Sequence, residues 1–165
     1  MADLRQRHVL VPDGVATGTA TVHIGAANGT VPVSAAAPGL FSMGASTIAA
    51  AGAIRVPNNQ TTQTVVPVFD CSSGTCTPVP IAIDNQSTVY VSLYATGLRG
   101  AASSVTCTAG GVPVPVTYAG PQGVFPGLDQ VNISIPAALR GRGAVDVVVS
   151  VGGQLSNAVR LAFGG

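Results

Sequence analysis

An all-β chain, folded as an antiparallel sandwich with Greek-key connections, is what this sequence predicts, and three observations carry the prediction. The first is composition. Twenty-one Gly and 12 Pro in 165 residues, with neither Lys nor Glu anywhere, break the chain at short intervals and remove two good helix formers, while abundant Val and Thr suit a pleated surface. The second is periodicity: residues 88–97, TVYVSLYATG, place Val89, Val91 and Leu93 on one face and Tyr90, Ser92 and Tyr94 on the other, the period of two expected of a half-buried strand. The third is spacing, since short runs of this kind recur roughly every 8 to 12 residues with no helical segment between them, as in two-sheet sandwiches. Prolines within the runs require open sheet edges, which disfavours a closed up-and-down barrel.

The elements follow in order. Residues 9–11 and 19–24 read as a strand pair, with 30–34 a short third run. In 35–43, AAAPGLFSM, Pro38 and Gly39 impose a turn that presents Leu40 and Phe41 to the core. The alanines of 45–54, ASTIAAAGAI, would suit a helix, but Gly44, Thr47, Ile48 and Gly52 favour a strand. A polar loop, PNNQTTQ (57–63), precedes 64–69, which Pro67 confines to a sheet edge. Runs at 78–83, 88–97, 104–110, 112–120, 130–135, 144–153 and 157–163 complete the set, with a turn at Asp84–Ser87 and hairpin turns at Gly110–Gly111 and Gly152–Gly153.

The two ends of the chain resemble each other. Residues 9–25, VLVPDGVATGTATVHIG, and 133–153, ISIPAALRGRGAVDVVVSVGG, each run from an apolar strand closing on proline (Pro12, Pro136), through a polar link, to a glycine (Gly18, Gly143) and a second alternating strand. The expected division is therefore residues 1–34 as the terminal strands of an incomplete preceding module and 35–165 as a complete sandwich. A lone two-stranded ribbon is marginal in water, so the strands within 9–34 are expected either to add to an edge of the sandwich or to pair with the same segment of another molecule. Self-association or a protein partner is the expectation for this segment.

Charge excludes several classes. Only 8% of residues are charged, all of them Arg or Asp, and the net charge is +1. With no basic cluster beyond Arg5/Arg7 and Arg140/Arg142, nucleic acid is not an expected partner. No run of 18 apolar residues suggests a membrane span, and the N-terminus carries no apolar signal-peptide core. A surface of Thr, Ser, Asn and Gln suits an extracellular or cell-surface protein whose export signal lies outside this chain.

Among residues with chemistry, Cys71 and Cys76 flank a flexible Ser-Ser-Gly-Thr and are expected to form a small disulfide loop. A metal pair is the rival, but His8 and His23 lie in another segment. Cys107, within VTCTAG, reads as a small buried hydrophobe. There is no nucleophile elbow, no HExxH and no phosphate loop, and any general acid or base must come from six Asp and two His. Asp129, just after a Gly-Leu turn, is a turn cap or, together with Asp84 and loop carbonyls, a Ca2+ site. Asp146 points outward from a strand, Asp70 caps the disulfide loop, and His23 lies on the outer face of its strand as a surface imidazole, or else faces a partner protomer or serves as a base. Tyr90 and Tyr94 are either ordinary cross-strand packing or a platform on which a carbohydrate stacks.

Several runs in order, AAAPGLF, LYATGLRG, GGVPVPVTYAG, GLDQVNISIP and VVVSVGGQLSNAVRLAF, resemble the C-terminal Ig-like domain of unknown function found in large secreted proteins of acidobacteria such as Solibacter. The resemblance spans residues 9 to 163. It implies an Ig-like (IPT/TIG-like) β-sandwich and secretion, with PDGVATGTATVHI similar to the closing strands of a first module and 36–163 similar to a second. It implies no catalytic residue. The expected function is a non-enzymatic interaction or spacer module. The alternatives are a small hydrolase of esters or lactones, with or without Ca2+, and a carbohydrate-binding module.

Overall fold

The computed structural model describes residues 10–12, 14–99 and 104–165. Sixteen strands account for its regular structure: β1 Gly18–Ile24, β2 Ala27–Val33, β3 Gly39–Leu40, β4 Ala51–Pro57, β5 Thr64–Val66, β6 Phe69–Asp70, β7 Thr77–Pro78, β8 Ile81–Ala82, β9 Ser87–Thr96, β10 Val105–Ala109, β11 Val112–Val114, β12 Val116–Pro121, β13 Asp129–Ser134, β14 Gly143–Val151, β15 Gln154–Leu155 and β16 Val159–Gly164. A 3-10 turn, Ala137–Leu139, lies between β13 and β14. Two sheets face each other, in the orders β12-β13-β9-β4-β5 and β11-β10-β14-β16-β8. In chain order the strands β4, β9, β10, β12, β13, β14 and β16 occupy the A to G places of an Ig-type sandwich, A-B-E-D in the first sheet and C-F-G in the second. The expected all-β, Greek-key sandwich is the fold observed.

Alternation builds the core. The inward positions of β9 (Val89, Val91, Leu93, Ala95) and β13 (Val131, Ile133) meet those of β14 (Val147, Val149, Val151) and β16 (Val159, Leu161, Phe163), all of them buried. Each fully buried aliphatic or aromatic side chain contributes about 1.5–3 kcal/mol. Strand β4 supplies only Ala51 and Ala53, small residues that let the sheets approach beside the larger valines and leucines. Both expected Gly-Gly turns form: β10 and β11 pair with Ala109 opposite Val112, and Gly110 and Gly111 have φ of 54° and 76°. Two successive positive values are what a two-residue hairpin matched to strand twist requires, and glycine adopts them without steric cost.

The structure differs from the sequence reading at several places, among them the runs 64–69 and 78–83, each of which divides between strands of different sheets (β5 and β6, β7 and β8). The run 112–120 is two strands that separate at Pro115, β11 lying in one sheet and β12 in the other, because proline cannot continue a ladder at a point where the chain changes sheets. Residues 45–50 are irregular, and strand β4 begins at Ala51. Phe41 does not plug the core: β3 pairs Leu40 with Ala95, which turns Leu40 inward (6% exposed) and Phe41 outward (45%). Strand β1 pairs with β2 across a tight turn at Gly25–Ala26, in the register Gly18↔Val33 to Ile24↔Ala27, whereas residues 10–12 are not in a strand; residue 9 lies outside the described residues. Finally, of the two expectations for this segment, addition to an edge of the sandwich is not what the structure shows, the β1–β2 hairpin being a sheet of its own. Pro67 behaves as expected, ending β5 at the edge of its sheet.

Candidate functional site

The outward face of the first sheet collects the chain's aromatic hydroxyls. Because Val89, Val91 and Leu93 point into the core, Tyr90, Ser92 and Tyr94 of β9 point out. Register then carries that face sideways: Ser92 lies opposite Asn132 of β13 and Gly52 of β4, Tyr94 opposite Gln130, and Tyr90 opposite Ile54. On the far side of β13, Tyr118 of β12 stands opposite Asn132. All three tyrosines of the protein therefore share one sheet face. Phe41, whose N–H donates to the Tyr94 carbonyl (3.0 Å), is turned to the same side.

These residues enclose a shallow groove of about 390 Å3, lined by Tyr90, Tyr94, Ser92, Gln130, Asn132 and Gly52 with Ile54, Val65 and Thr117 around them. Its centre is an amide ladder, in which Gln130 Nε2 donates to Asn132 Oδ1 (2.6 Å) and to Ser92 Oγ (3.4 Å). No charged side chain lines it. The Tyr94 hydroxyl reaches across β4 to within 4.0 Å of where a Cβ on Gly52 would stand, so the glycine leaves the floor beside the ring low. Tyr118 folds back and donates its hydroxyl proton to the Pro121 carbonyl. A second depression, about 540 Å3, is bounded only by the loop Asn58–Thr62 and gathers no distinctive chemistry.

The two carboxylates read as a calcium pair are not brought together. Asp84 lies just before β9 begins, whereas Asp129 pairs with Ala95 near its other end, a separation of roughly 25 Å along the strand. Asp84 accepts hydrogen bonds from Arg55 Nη1 (2.7 Å), Ser87 Oγ (2.7 Å) and the Gln86 N–H (2.8 Å). The Ser87 and Gln86 bonds hold its pKa below the ordinary carboxylate value, with Arg55 adding to the effect. Asp129 is 1% exposed and accepts from the Leu98 N–H (3.1 Å) and from Arg99 Nε (2.8 Å). It caps backbone, as the turn reading expected, but the backbone of the loop after β9, 31 residues away. Among the described residues no group of three or more His, Cys, Asp and Glu is placed to hold a metal ion.

The remaining candidates have structural surroundings. Cys71 and Cys76 are joined as a disulfide, and Asp70 braces that loop by accepting from the Ser72 N–H (2.8 Å) and hydroxyl (3.1 Å), bonds that lower its pKa. Cys107 is buried, and desolvation pushes its thiol up to about 12. Asp146 is exposed and paired across the strands with Arg160 Nε at 2.9 Å. His23 is exposed on β1, opposite Asn28, and His8 lies outside the described residues.

Sequence reasoning found Tyr90, Ser92 and Tyr94 but not Gln130, Asn132, Gly52 or Tyr118. Alternation within β13 was the available signal for Gln130 and Asn132, but only register places them beside β9. No helix among the described residues is long and apolar enough to cross a membrane. Neither family models, curated proteins nor solved structures match the chain, so its class is defined by architecture: a β-sandwich compatible with an Ig-like domain.

Proposed function

We propose that the chain is a non-enzymatic interaction and spacer module of a secreted or cell-surface protein built from repeated Ig-like units, in which the β1–β2 hairpin is the closing strand pair of a neighbouring unit. The observation that carries the reading is that both arms of the sequence repeat lie in antiparallel strand pairs that open on a glycine: Gly143 of β14 lies opposite Phe163 of β16, and Gly18 of β1 opposite Val33 of β2. The connections differ, since a tight turn joins β1 to β2 whereas β15 lies between β14 and β16.

The function follows from mechanics. A sandwich with a continuous core and a braced disulfide loop holds its poles at a fixed distance, and its edge strands and ribbons present backbone to neighbours. Secretion is supported by the disulfide, which persists in oxidising compartments. The reading is tested by light scattering and thermal unfolding of the full chain and of residues 35–165. The expected outcome is self-association of the full chain through the hairpin, with the shorter chain monomeric and unfolding at the same temperature. Equal monomeric masses, or a shorter chain that fails to fold, would overturn it.

A further inference from the structure

We infer that the tyrosine face of the sheet β12-β13-β9-β4-β5 is a binding site for a neutral oligosaccharide chain, laid along β9 over Tyr90, Ser92 and Tyr94. This goes beyond the spacer reading and concerns a different surface from the hairpin.

Four features select that ligand. First, Tyr90 and Tyr94 are half-buried at alternate outward positions with Ser92 between them, about 13 Å apart along the strand. One sugar ring cannot cover both, whereas a chain of rings can. The faces of such rings carry C–H groups with positive hydrogens, which match the negative face of an aromatic ring.

Second, the amide ladder uses the donor of Gln130 and the acceptor of Asn132 internally. Gln130 Oε1, Asn132 Nδ2 and the hydroxyls of Tyr90 and Tyr94 make no hydrogen bond to another described residue. The face therefore offers both donors and acceptors to a ligand whose groups both donate and accept, which is the property of a hydroxyl.

Third, no Arg lines the groove to hold an anion and no carboxylate lines it to hold a cation, so the ligand is uncharged. The opposite sheet differs, since its outer face carries the Asp146–Arg160 ion pair.

Fourth, Gly52 carries no side chain, which lets the Tyr94 hydroxyl lie over β4, 4.0 Å from where a Cβ would stand, so that the ring lies low on the sheet. A protein partner fits less well: covering unpaired amide and phenol groups without matching each one costs about 1–3 kcal/mol per group. Of the large exposed hydrophobics on this face, Val65 alone lines the groove, while Phe41 and Tyr118, the latter bonded within the chain, lie outside its lining.

Affinity electrophoresis of the full chain tests this, in gels containing soluble mixed-linkage β-glucan, xylan or galactomannan, with polygalacturonate as the anionic control. At least one neutral polymer is expected to retard the protein and polygalacturonate is not. Tyr94→Ala and Tyr90→Ala should each weaken retardation at least about tenfold, the loss of one stacking contact, while Asp146→Asn on the other sheet leaves it unchanged. Because the tyrosine variants remove packing, Gly52→Val is the second arm. Its Cβ stands 4.0 Å from the Tyr94 hydroxyl, its methyls lift the ring off the sheet, and valine suits a strand, so it should abolish retardation with unfolding temperature preserved. Absence of retardation by all three neutral polymers overturns the proposal. So does retardation that survives Gly52→Val, retardation by polygalacturonate alone, or a self-associated chain that Tyr94→Ala converts to monomer, which would make the face an interface between copies.

Discussion

The hairpin β1–β2 and the strand pair β14–β16 are written in a similar pattern and each opens on a glycine, yet one is surface and the other is core. Val147, Leu161 and Phe163 are at most 1% exposed, because β9 and β13 of the opposite sheet close over them. On the hairpin, Ile24 and Val31 remain 40% and 42% exposed, with no sheet packed over them. Alternation thus determines which side chains share a face, but burial is conferred by the second layer. A sequence pattern specifies half of a core.

The sharpest way to break this comparison is to shave the residue opposite the opening glycine in both pairs. Phe163 is opposite Gly143, and Val33 is opposite Gly18. Phe163→Ala empties a fully enclosed site and should lower unfolding free energy by about 3–5 kcal/mol in urea denaturation. Val33→Ala should cost less than about 1 kcal/mol, the span of strand propensity on a half-solvated face. Comparable losses at the two positions would mean that the hairpin is packed in solution, and the distinction between the copies would fall.

How far the sequence reveals this arrangement depends on the range of the interaction. Strand β9 was legible because its alternation is local, and so were Gly110–Gly111, whose turn needs only two residues. The break at Pro115 was not, since valines alternate on both sides of it and nothing local records that the chain has changed sheets. The same limit applies to the site. Tyr90 and Tyr94 were readable from β9 alone, whereas Gln130, Asn132 and Gly52 come from strands that only register brings alongside. Pairing Asp84 with Asp129 went astray because a loop's position in sequence does not say at which pole of a sandwich it emerges.

A second contrast tests burial through charge. Asp129 and Asp146 each bond an arginine at nearly the same distance, 2.8 and 2.9 Å, but Asp129 is enclosed and also holds the Leu98 N–H, while Asp146 is exposed. Asp129→Asn should cost about 1.5–3 kcal/mol, the loss of charged hydrogen bonds in a water-poor setting. Asp146→Asn should fall within about 0–1 kcal/mol, as for surface pairs. Raising the salt concentration should shift the second value and leave the first. Gly97, in the same loop as Leu98, adds a geometric check. A Cβ there would stand 2.0 Å from the Ala37 carbonyl oxygen at a φ of +76°, so Gly97→Ala should open the loop that Asp129 anchors and reduce the penalty of the Asp129 substitution when the two are combined.

A third contrast reads the core through a proton. Cys107 lies on β10 opposite Val149 of β14, inside the layer that the hairpin lacks. Its thiol is raised by burial from 9.0 to about 12, so the folded state resists ionisation that the unfolded chain accepts. The stabilisation is complete below pH 9 and is lost as the pH rises towards 12. Across that window the loss grows by on the order of 1 kcal/mol per pH unit. Cys107→Ala should remove this component from the alkaline loss of stability, which the difference between the two proteins' denaturation curves from pH 8 to 11 measures. A cysteine placed at the matching layer of the hairpin, Val22→Cys, should titrate as an ordinary thiol and react with a thiol reagent in the native state. If Cys107 reacted as fast as that engineered thiol, the second sheet would not be sealing the face that distinguishes β14–β16 from its exposed counterpart.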